Sequence, residues 1–111
     1  MSVVDQLFAD LRSKGRKALM PFFTAGDPDM AITAKVIQAA QAAGADLCEV
    51  GVPYSDPIAD GPVIQASYQR SLDGGFRLQQ IMDLAENLKS DVTMPLVSMV
   101  SYAIIYRVGL N

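Results

Sequence analysis

The sequence has no histidine among its 111 residues. This absence excludes a Ser-His-Asp triad, a Cys-His nucleophilic pair and the usual zinc site with histidine ligands. Any acid–base chemistry carried by these residues must therefore use carboxylates, lysine or tyrosine.

Cysteine and positive charge are also scarce. Cys48 is the one cysteine, which excludes a disulfide within the chain. The nine Lys and Arg residues are scattered and the net charge is −3, so the basic stripe that nucleic-acid binding needs is missing. We therefore expect a protein that does not bind nucleic acid.

Long hydrophobic runs are missing as well. The longest uncharged run covers residues 92–106 and is interrupted by Pro95, which makes it too short for a membrane span. Residues 1–5 lack the basic start and the apolar core of a signal peptide. We therefore expect a cytoplasmic protein that does not enter a membrane.

Half of the residues are apolar, and their spacing predicts strands that alternate with helices. Asp27 and Pro28 are expected to cap and to open the second helix. Strands joined by helices pair in parallel, so the sequence predicts one α/β unit over residues 1–111. The predicted strands are 18–24, 46–51 and 96–101, and the predicted helices are 3–11, 28–43, 62–73 and 78–88.

Glu49 fits its apolar surroundings least well. Alternation along the predicted strand 46–51 places Leu47, Glu49 and Gly51 on one side. Cys48 then faces the other side, where we expect it to act as a small buried apolar residue. A glutamate inside an apolar strand loses hydration, and this loss requires a charged partner or protonation of the carboxyl group.

Two interpretations of Glu49 are open from the residues alone. A carboxyl group kept partly protonated near neutral pH serves well as a general acid or base, which would make Glu49 catalytic. Alternatively, Glu49 forms an ion pair with Lys17 or Lys35, or lies in water at the end of the strand. The residue pattern does not decide between these interpretations.

Two more acids lie in the loop that follows this strand. Asp56 and Asp60 each suit a turn, or the N-cap of the helix that opens at Gly61-Pro62. Together with Glu49 they would also supply three carboxylates for Mg²⁺. Such sites usually come with phosphate-handling residues, and none is identified in this sequence, so we expect no metal.

Three motifs point to a known family. They are Pro21-Phe-Phe-Thr-Ala-Gly-Asp-Pro28, Gly44-Ala-Asp46 and Glu49-Val-Gly-Val-Pro-Tyr-Ser-Asp-Pro-Ile-Ala-Asp-Gly-Pro-Val-Ile-Gln65. The spacing Pro-x-Ser-Asp-Pro-x-x-Asp-Gly-Pro is highly specific. By these residues the chain resembles the N-terminal portion of the tryptophan synthase alpha subunit. The resemblance implies an α/β fold, part of a TIM (β/α)8 barrel, with an N-terminal helix and three parallel strands with their helices.

The resemblance also implies a lyase of tryptophan biosynthesis. Such a lyase splits indole-3-glycerol phosphate into indole and glyceraldehyde 3-phosphate by a retro-aldol reaction that needs no cofactor. Glu49 matches the general acid–base residue of the family. Asp60 matches the residue that stabilises the charge developing at the indole N–H.

Further residues are assigned by the same resemblance. Phe22 and Met99 match positions beside the indole. Alignment places Ser101 in the wall of the indole pocket, and a slip of one residue would place Tyr102 there. The loop from Pro53 to Asp56 matches the contact to the tryptophan synthase beta subunit, which takes the indole onward with its own pyridoxal phosphate.

A TIM barrel needs eight strands and about 250 residues, with the phosphate-binding loops after the seventh and eighth strands. Because only three strands are predicted, we expect the chain alone to be inactive. We also expect it to self-associate, with inward residues such as Met20, Phe22 and Leu47 left in water. Two alternatives remain: a non-catalytic fragment that keeps only the beta-subunit-binding loop, and a different barrel lyase, isomerase or carboxylate metal site.

Overall fold

The computed structural model describes residues 1–109, so positions 110 and 111 of the predicted unit lie outside the described residues. The predicted alternation of helices and strands is confirmed, and a further short helix follows the last strand. Within residues 1–109, no helix combines the length and apolar character needed to cross a membrane. The elements are α1 (Val3–Ser13), β1 (Phe22–Thr24), α2 (Met30–Ala42), β2 (Cys48–Gly51), α3 (Pro62–Asp73), α4 (Gln79–Leu88), β3 (Leu96–Met99) and α5 (Tyr102–Val108).

Local chemistry explains where α1 and α3 begin. The Ser2 hydroxyl accepts from the N–H of Asp5 at 3.1 Å, and the Asp5 carboxylate accepts from the N–H of Ser2 at 2.9 Å. This reciprocal capping box satisfies two N–H groups that lack helical partners. α3 begins at Pro62, as predicted, because the fixed φ of proline suits the first helical turn.

The predicted cap of the second helix is wrong by two residues. α2 begins at Met30 and is capped by Asp29, whose carboxylate accepts from the N–H of Ile32 at 2.8 Å. Asp27 instead forms an ion pair with Arg70 of α3, with a 2.9 Å distance from Nη2 to Oδ2. Asp29 therefore caps the helix, while Asp27 is occupied by a partner on α3.

The three strands form one parallel sheet in the order β1-β2-β3. Phe22 lies opposite Glu49, and Glu49 lies opposite Val97, so β2 is the central strand. Within residues 1–109, β1 and β3 each pair with β2 alone. Each outer strand therefore presents one open edge of N–H and C=O groups.

Helices cover one face of the sheet. Burial of each large aliphatic side chain in this layer contributes about 1.5–3 kcal/mol. Because side chains alternate along a strand, Glu49 and Gly51 lie on the opposite face, which is the interior of a closed barrel. The helix-covered core includes five side chains that are at most 8% exposed: Cys48, Val50, Ile37, Leu84 and Leu88.

Two buried hydroxyl contacts attach α3 to the first strand. The hydroxyl groups of Thr24 and Ser67 lie 2.7 Å apart. The Ser71 hydroxyl donates to the carbonyl oxygen of Ala25 at 2.7 Å. Ser67 and Ser71 are both buried, so these bonds satisfy polar groups that water does not reach and fix the position of α3 against β1.

The interior face of the sheet is partly open to water. Met20 is 44% exposed and Phe22 is half-buried, as expected for an incomplete barrel. Leu47 is 3% exposed, so the expectation that it faces water is wrong. Its neighbour Asp46 accepts from the N–H of Leu19 at 2.8 Å, which holds the segment before β1 against the start of β2.

Candidate active site

The loop between β2 and α3, residues 52–61, forms one wall of a cavity. The end of β3 and the start of α5 form the other wall, and the cavity volume is about 280 Å³. The carboxyl ends of parallel strands meet here, which is where barrel folds place their active sites. The lining residues are Val52, Tyr54, Asp56, Pro57, Ile58, Ala59, Asp60, Tyr68, Met99, Val100 and Ser101.

The cavity brings together four of the eight residues that the sequence singled out. Phe22 lines a separate cavity of about 250 Å³ on the β1 side of the sheet. Glu49 lies beside Phe22 as its register partner on the neighbouring strand. The residues in the first cavity are Asp56, Asp60, Met99 and Ser101, and those outside its lining are Phe22, Glu49, Pro53 and Tyr102.

Gly51 connects these two groups. A Cβ atom on Gly51 would collide with Cζ of the Phe22 ring and would lie 2.8 Å from its Cε2 and 3.0 Å from the Tyr68 hydroxyl. The Phe22 ring and the Tyr68 hydroxyl therefore meet over a position that has no side chain. Because Tyr68 lines the cavity with Asp60, the Gly51 position lies between Phe22 and a residue of that cavity.

Glu49 is half-buried on the interior face. Neither Lys17 nor Lys35 forms an ion pair with it in the described part of the chain, so the ion-pair interpretation gains no support. A half-buried carboxyl group that no cation neutralises remains available to exchange a proton with a bound molecule. The ion pairs found within residues 1–109 are Lys14–Asp10, Arg16–Asp46 and Arg70–Asp27.

Cys48 faces the helices, as predicted, and is 0% exposed. Burial, and secondarily the negative charge of Glu49, raise the pKa of the Cys48 thiol to about 11. A thiol with this pKa stays protonated at neutral pH and is a poor nucleophile. Cys48 therefore acts as an apolar packing group.

Asp60 is held through its backbone. Its N–H donates to the carbonyl of Pro57 at 3.2 Å, and its own carbonyl accepts from Nε2 of Gln65 at 2.6 Å. The N-cap of α3 is Gly61, which makes no side-chain cap bond, so the capping interpretation of Asp60 is wrong. The Asp60 carboxylate lines the cavity, where its charge adds to burial in raising the pKa of Tyr68.

Asp56 and Pro53 differ in exposure. Asp56 is exposed, and its carbonyl accepts from the N–H of Ile58 at 2.9 Å in a tight turn. Ile58 at this turn is 85% exposed. Pro53 is buried at the base of the loop, so Asp56 and Ile58, and not Pro53, offer a surface to another molecule.

The Mg²⁺ alternative also gains no support. In the part of the chain that the structure describes, no three Asp, Glu, Cys or His side chains converge to hold a metal ion. Asp56 and Asp60 line the cavity, whereas Glu49 lies on β2 outside its lining.

The end of β3 supplies Met99 and Ser101. Met99 is 46% exposed and lines the cavity. Ser101 also lines the cavity, and its hydroxyl caps α5 by accepting from the N–H of Ala103 at 3.2 Å. Tyr102 is 68% exposed, and its ring centroid lies 6.3 Å from that of Tyr106 one helical turn later. Of the two alternatives, Ser101 therefore faces the cavity and Tyr102 lies outside it.

Tyr68 is a cavity residue that the sequence did not single out. Ile64, Ser67, Tyr68 and Ser71 are all buried or half-buried. Their spacing of i, i+3, i+4 and i+7 is that of an inward helical face. Because two of the four are serines, a search for apolar periodicity does not find this face.

Parallel strands with helices on one face, and a cavity at their carboxyl ends, define part of an α/β barrel of the kind that enzymes use. The family model described as tryptophan synthase alpha chain matches residues 8–111. This chain belongs to the tryptophan synthase alpha chain family.

Similar sequences and similar solved structures support the same family. The tryptophan synthase alpha chain of Rhodopirellula baltica is 62% identical over 99% of this chain and 41% of its own length. The subunit alpha of tryptophan synthase from Legionella pneumophila str. Paris has a TM-score of 0.92 and 32% identity, over 98% of this chain and 42% of that one. Tryptophan synthase from M. tuberculosis, in an open form with BRD0059 bound, has a TM-score of 0.91 and 31% identity, over 98% of this chain and 43% of that one. The chain thus spans about two fifths of the length of these relatives, and its three strands form part of a TIM barrel.

Proposed function

We propose that this chain supplies two catalytic carboxylates to a cytoplasmic lyase of tryptophan biosynthesis. The reaction is the cleavage of indole-3-glycerol phosphate to indole and glyceraldehyde 3-phosphate, without a cofactor. The observation that supports it best is the position of Glu49 on the interior face of β2, beside Phe22, on the strand that leads into the loop of the cavity that Asp60 lines. Residues 1–111 would then form one unit of a larger barrel domain.

Retro-aldol cleavage breaks the bond between indole C3 and the glycerol side chain. C3 must gain a proton so that the ring accepts the electron pair of the breaking bond. The hydroxyl next to that bond must lose a proton so that an aldehyde forms. One carboxyl group beside both atoms serves each step as acid or base, and Glu49 is half-buried with no cation paired to it in residues 1–109.

Asp60 is assigned to the developing positive charge at the indole N–H. Protonation of C3 places this charge on the ring nitrogen, and a fixed anion stabilises it most when little reorganisation is needed. The backbone bonds of Asp60 to Pro57 and Gln65 fix the backbone of this residue at the cavity wall. The carboxyl group itself makes no hydrogen bond within residues 1–109, so it is free to face the indole N–H.

The substrate ring is assigned to the space between Phe22 and the end of β3. Phe22 supplies an aromatic wall beside Glu49. Met99 and Ser101 supply the wall on the cavity side, and Tyr102 is left out because it lies outside the lining. The phosphate would be held by the rest of the barrel, after its seventh and eighth strands.

A second candidate function is binding to a tryptophan synthase beta subunit without catalysis. The loop at Asp56 favours it, because Ile58 at the same turn is 85% exposed. An exposed apolar side chain beside a charge suits a protein contact with an apolar centre and a polar rim. Pro53 would act from below by supporting this loop.

The chain alone is expected to be inactive and to self-associate. β1 and β3 each present an open edge within residues 1–109, and Met99 is 46% exposed beside one of them. Binding energy from the remote phosphate would also be missing, and such energy helps to orient the reacting end of a substrate.

The test compares this chain with a completed chain, in which its residues are followed by the part of the Rhodopirellula baltica alpha chain that they do not match. The completed chain is expected to release indole from indole-3-glycerol phosphate. The 111-residue chain is expected to release none and to sediment as oligomers. A folded completed chain without activity would contradict the proposed reaction. Co-purification with a beta subunit, without a gain in indole release, would favour the second function.

A further inference from the structure

Tyr68 lies in the second turn of α3 and is 6% exposed. Its side chain lines the same cavity as Asp60. Its hydroxyl lies 3.0 Å from the point where a Cβ on Gly51 would stand, so it reaches the interior face of β2. The phenol therefore connects α3 to the surface on which the substrate ring would lie.

The backbone that carries Tyr68 is rigidly attached to β1. Ser67, the residue before it, shares a 2.7 Å hydrogen bond with Thr24. Ser71, three residues later, donates to the carbonyl of Ala25 at 2.7 Å. These buried bonds fix the helix on both sides of Tyr68, and the Tyr68 side chain is itself buried.

Within residues 1–109, no hydrogen bond reaches either the Tyr68 hydroxyl or the Asp60 carboxylate, since Asp60 is bonded only through its backbone. The two groups nevertheless act on each other. Burial first, and then the negative charge of Asp60, raise the pKa of Tyr68. The phenol therefore stays protonated and remains a hydrogen-bond donor beside an acid that lacks one.

We propose that Tyr68 is a positioning residue for Asp60: its hydroxyl donates a hydrogen bond to the Asp60 carboxylate when the indole ring fills the cavity. The bond fixes the carboxylate in the orientation that faces the indole N–H, where water would otherwise solvate it. This proposal rests on the role of Asp60 in the proposed function. Tyr68 itself does not touch the reacting bond.

The first experiment measures indole release by the completed chain and its Tyr68→Phe variant. Loss of a hydrogen bond to a charged group is expected to lower kcat about tenfold, with KM changed less than about twofold. Tyr106→Phe is the matched control, because Tyr106 is 77% exposed and lies outside the cavity. Equal kcat in Tyr68→Phe and the parent overturns the proposal.

The second experiment observes the hydrogen bond without turnover. The ¹³Cζ resonance of Tyr68, recorded at pH 7, is expected to move when saturating indole is added, because the phenol then donates to the Asp60 carboxylate. This change should be largely lost in Asp60→Asn and kept in Asp56→Asn, the other acid that lines the cavity. A resonance that indole leaves unchanged, or a change of the same size in Asp60→Asn, overturns the proposal even if Tyr68→Phe fails to fold.

The outcomes also distinguish the proposed role of Tyr68 from the proposed role of Asp60. Impaired Asp60→Asn with full activity of Tyr68→Phe overturns only the role of Tyr68. Full activity of Asp60→Asn overturns the role of Asp60, and the positioning role of Tyr68 with it.

Discussion

Replacing Gly51 by alanine tests how closely the site is packed. The added Cβ would collide with Cζ of Phe22 and lie 2.8 Å from its Cε2, while the Tyr68 hydroxyl would be 3.0 Å away. The backbone of Gly51 has no positive φ, so the substitution is purely steric. Either the Phe22 ring or the strand must therefore move.

The size of the effect follows from which group gives way. Overpacking a core by one methyl group typically costs about 1–3 kcal/mol. Phe22 is half-buried, and the colliding atoms are at the far end of its ring, so the ring can turn toward the open side. We therefore expect a loss of about 1 kcal/mol in the free energy of unfolding. KM for indole-3-glycerol phosphate should also rise, because the displaced ring forms the proposed indole wall.

The assay is urea unfolding of the completed chain, together with KM for indole-3-glycerol phosphate. Gly74→Ala is the control, because Gly74 has no positive φ and a Cβ there would come no closer than 3.4 Å to any neighbour. Phe22→Leu combined with Gly51→Ala should be destabilised by less than the sum of the single variants, since the smaller side chain relieves the collision. Unchanged stability and KM in Gly51→Ala, or strict additivity of the pair, would refute the packing described for this site.

Three further predictions concern the scaffold. Ser71→Ala should lower the free energy of unfolding by about 1–3 kcal/mol, because it leaves the buried carbonyl of Ala25 without a donor; a change within the error of urea unfolding would contradict this. Cys48 should resist a thiol reagent at pH 8 until the protein unfolds, since burial raises its pKa to about 11. Rapid labelling of the folded protein would be inconsistent with the structure. Because the pKa of Cys48 in the folded protein exceeds the ordinary value of 9.0, the protonated thiol favours the folded state below pH 9.0, and this contribution to stability is lost as the pH rises toward 11. Asp27→Asn should lower the free energy of unfolding by less than about 1 kcal/mol, and by less still at high salt, because the side chain of its partner Arg70 is 60% exposed. A larger decrease that salt does not change would contradict this.

The spacing of apolar residues was enough to predict the strands and their parallel pairing. The runs around Phe22, Glu49 and Val97 form neighbouring strands because each is short, apolar and separated from the next by a helix. Alternation also placed Glu49 opposite the helix-covered core, with Cys48 inside it. These features depend on local periodicity, which the sequence shows directly.

Features that depend on distant partners were not predictable in the same way. Asp27 looked like a helix cap, but Arg70, on another helix, binds it. Tyr68 was overlooked because serines occupy much of its buried helical face. The choice between Ser101 and Tyr102 required the direction of α5, which turns Tyr102 toward Tyr106 and away from the cavity.

The most direct test of the central claim is the rate of indole release by Glu49→Gln in the completed chain. Glutamine keeps the size of the side chain and removes the group that transfers protons, so kcat should fall by about 10²–10⁴-fold. Glu86→Gln, at the other glutamate of the chain, is the control and should keep the parent rate, because Glu86 is exposed on α4. Turnover by Glu49→Gln at the parent rate would remove Glu49 from the mechanism and contradict the proposed reaction site.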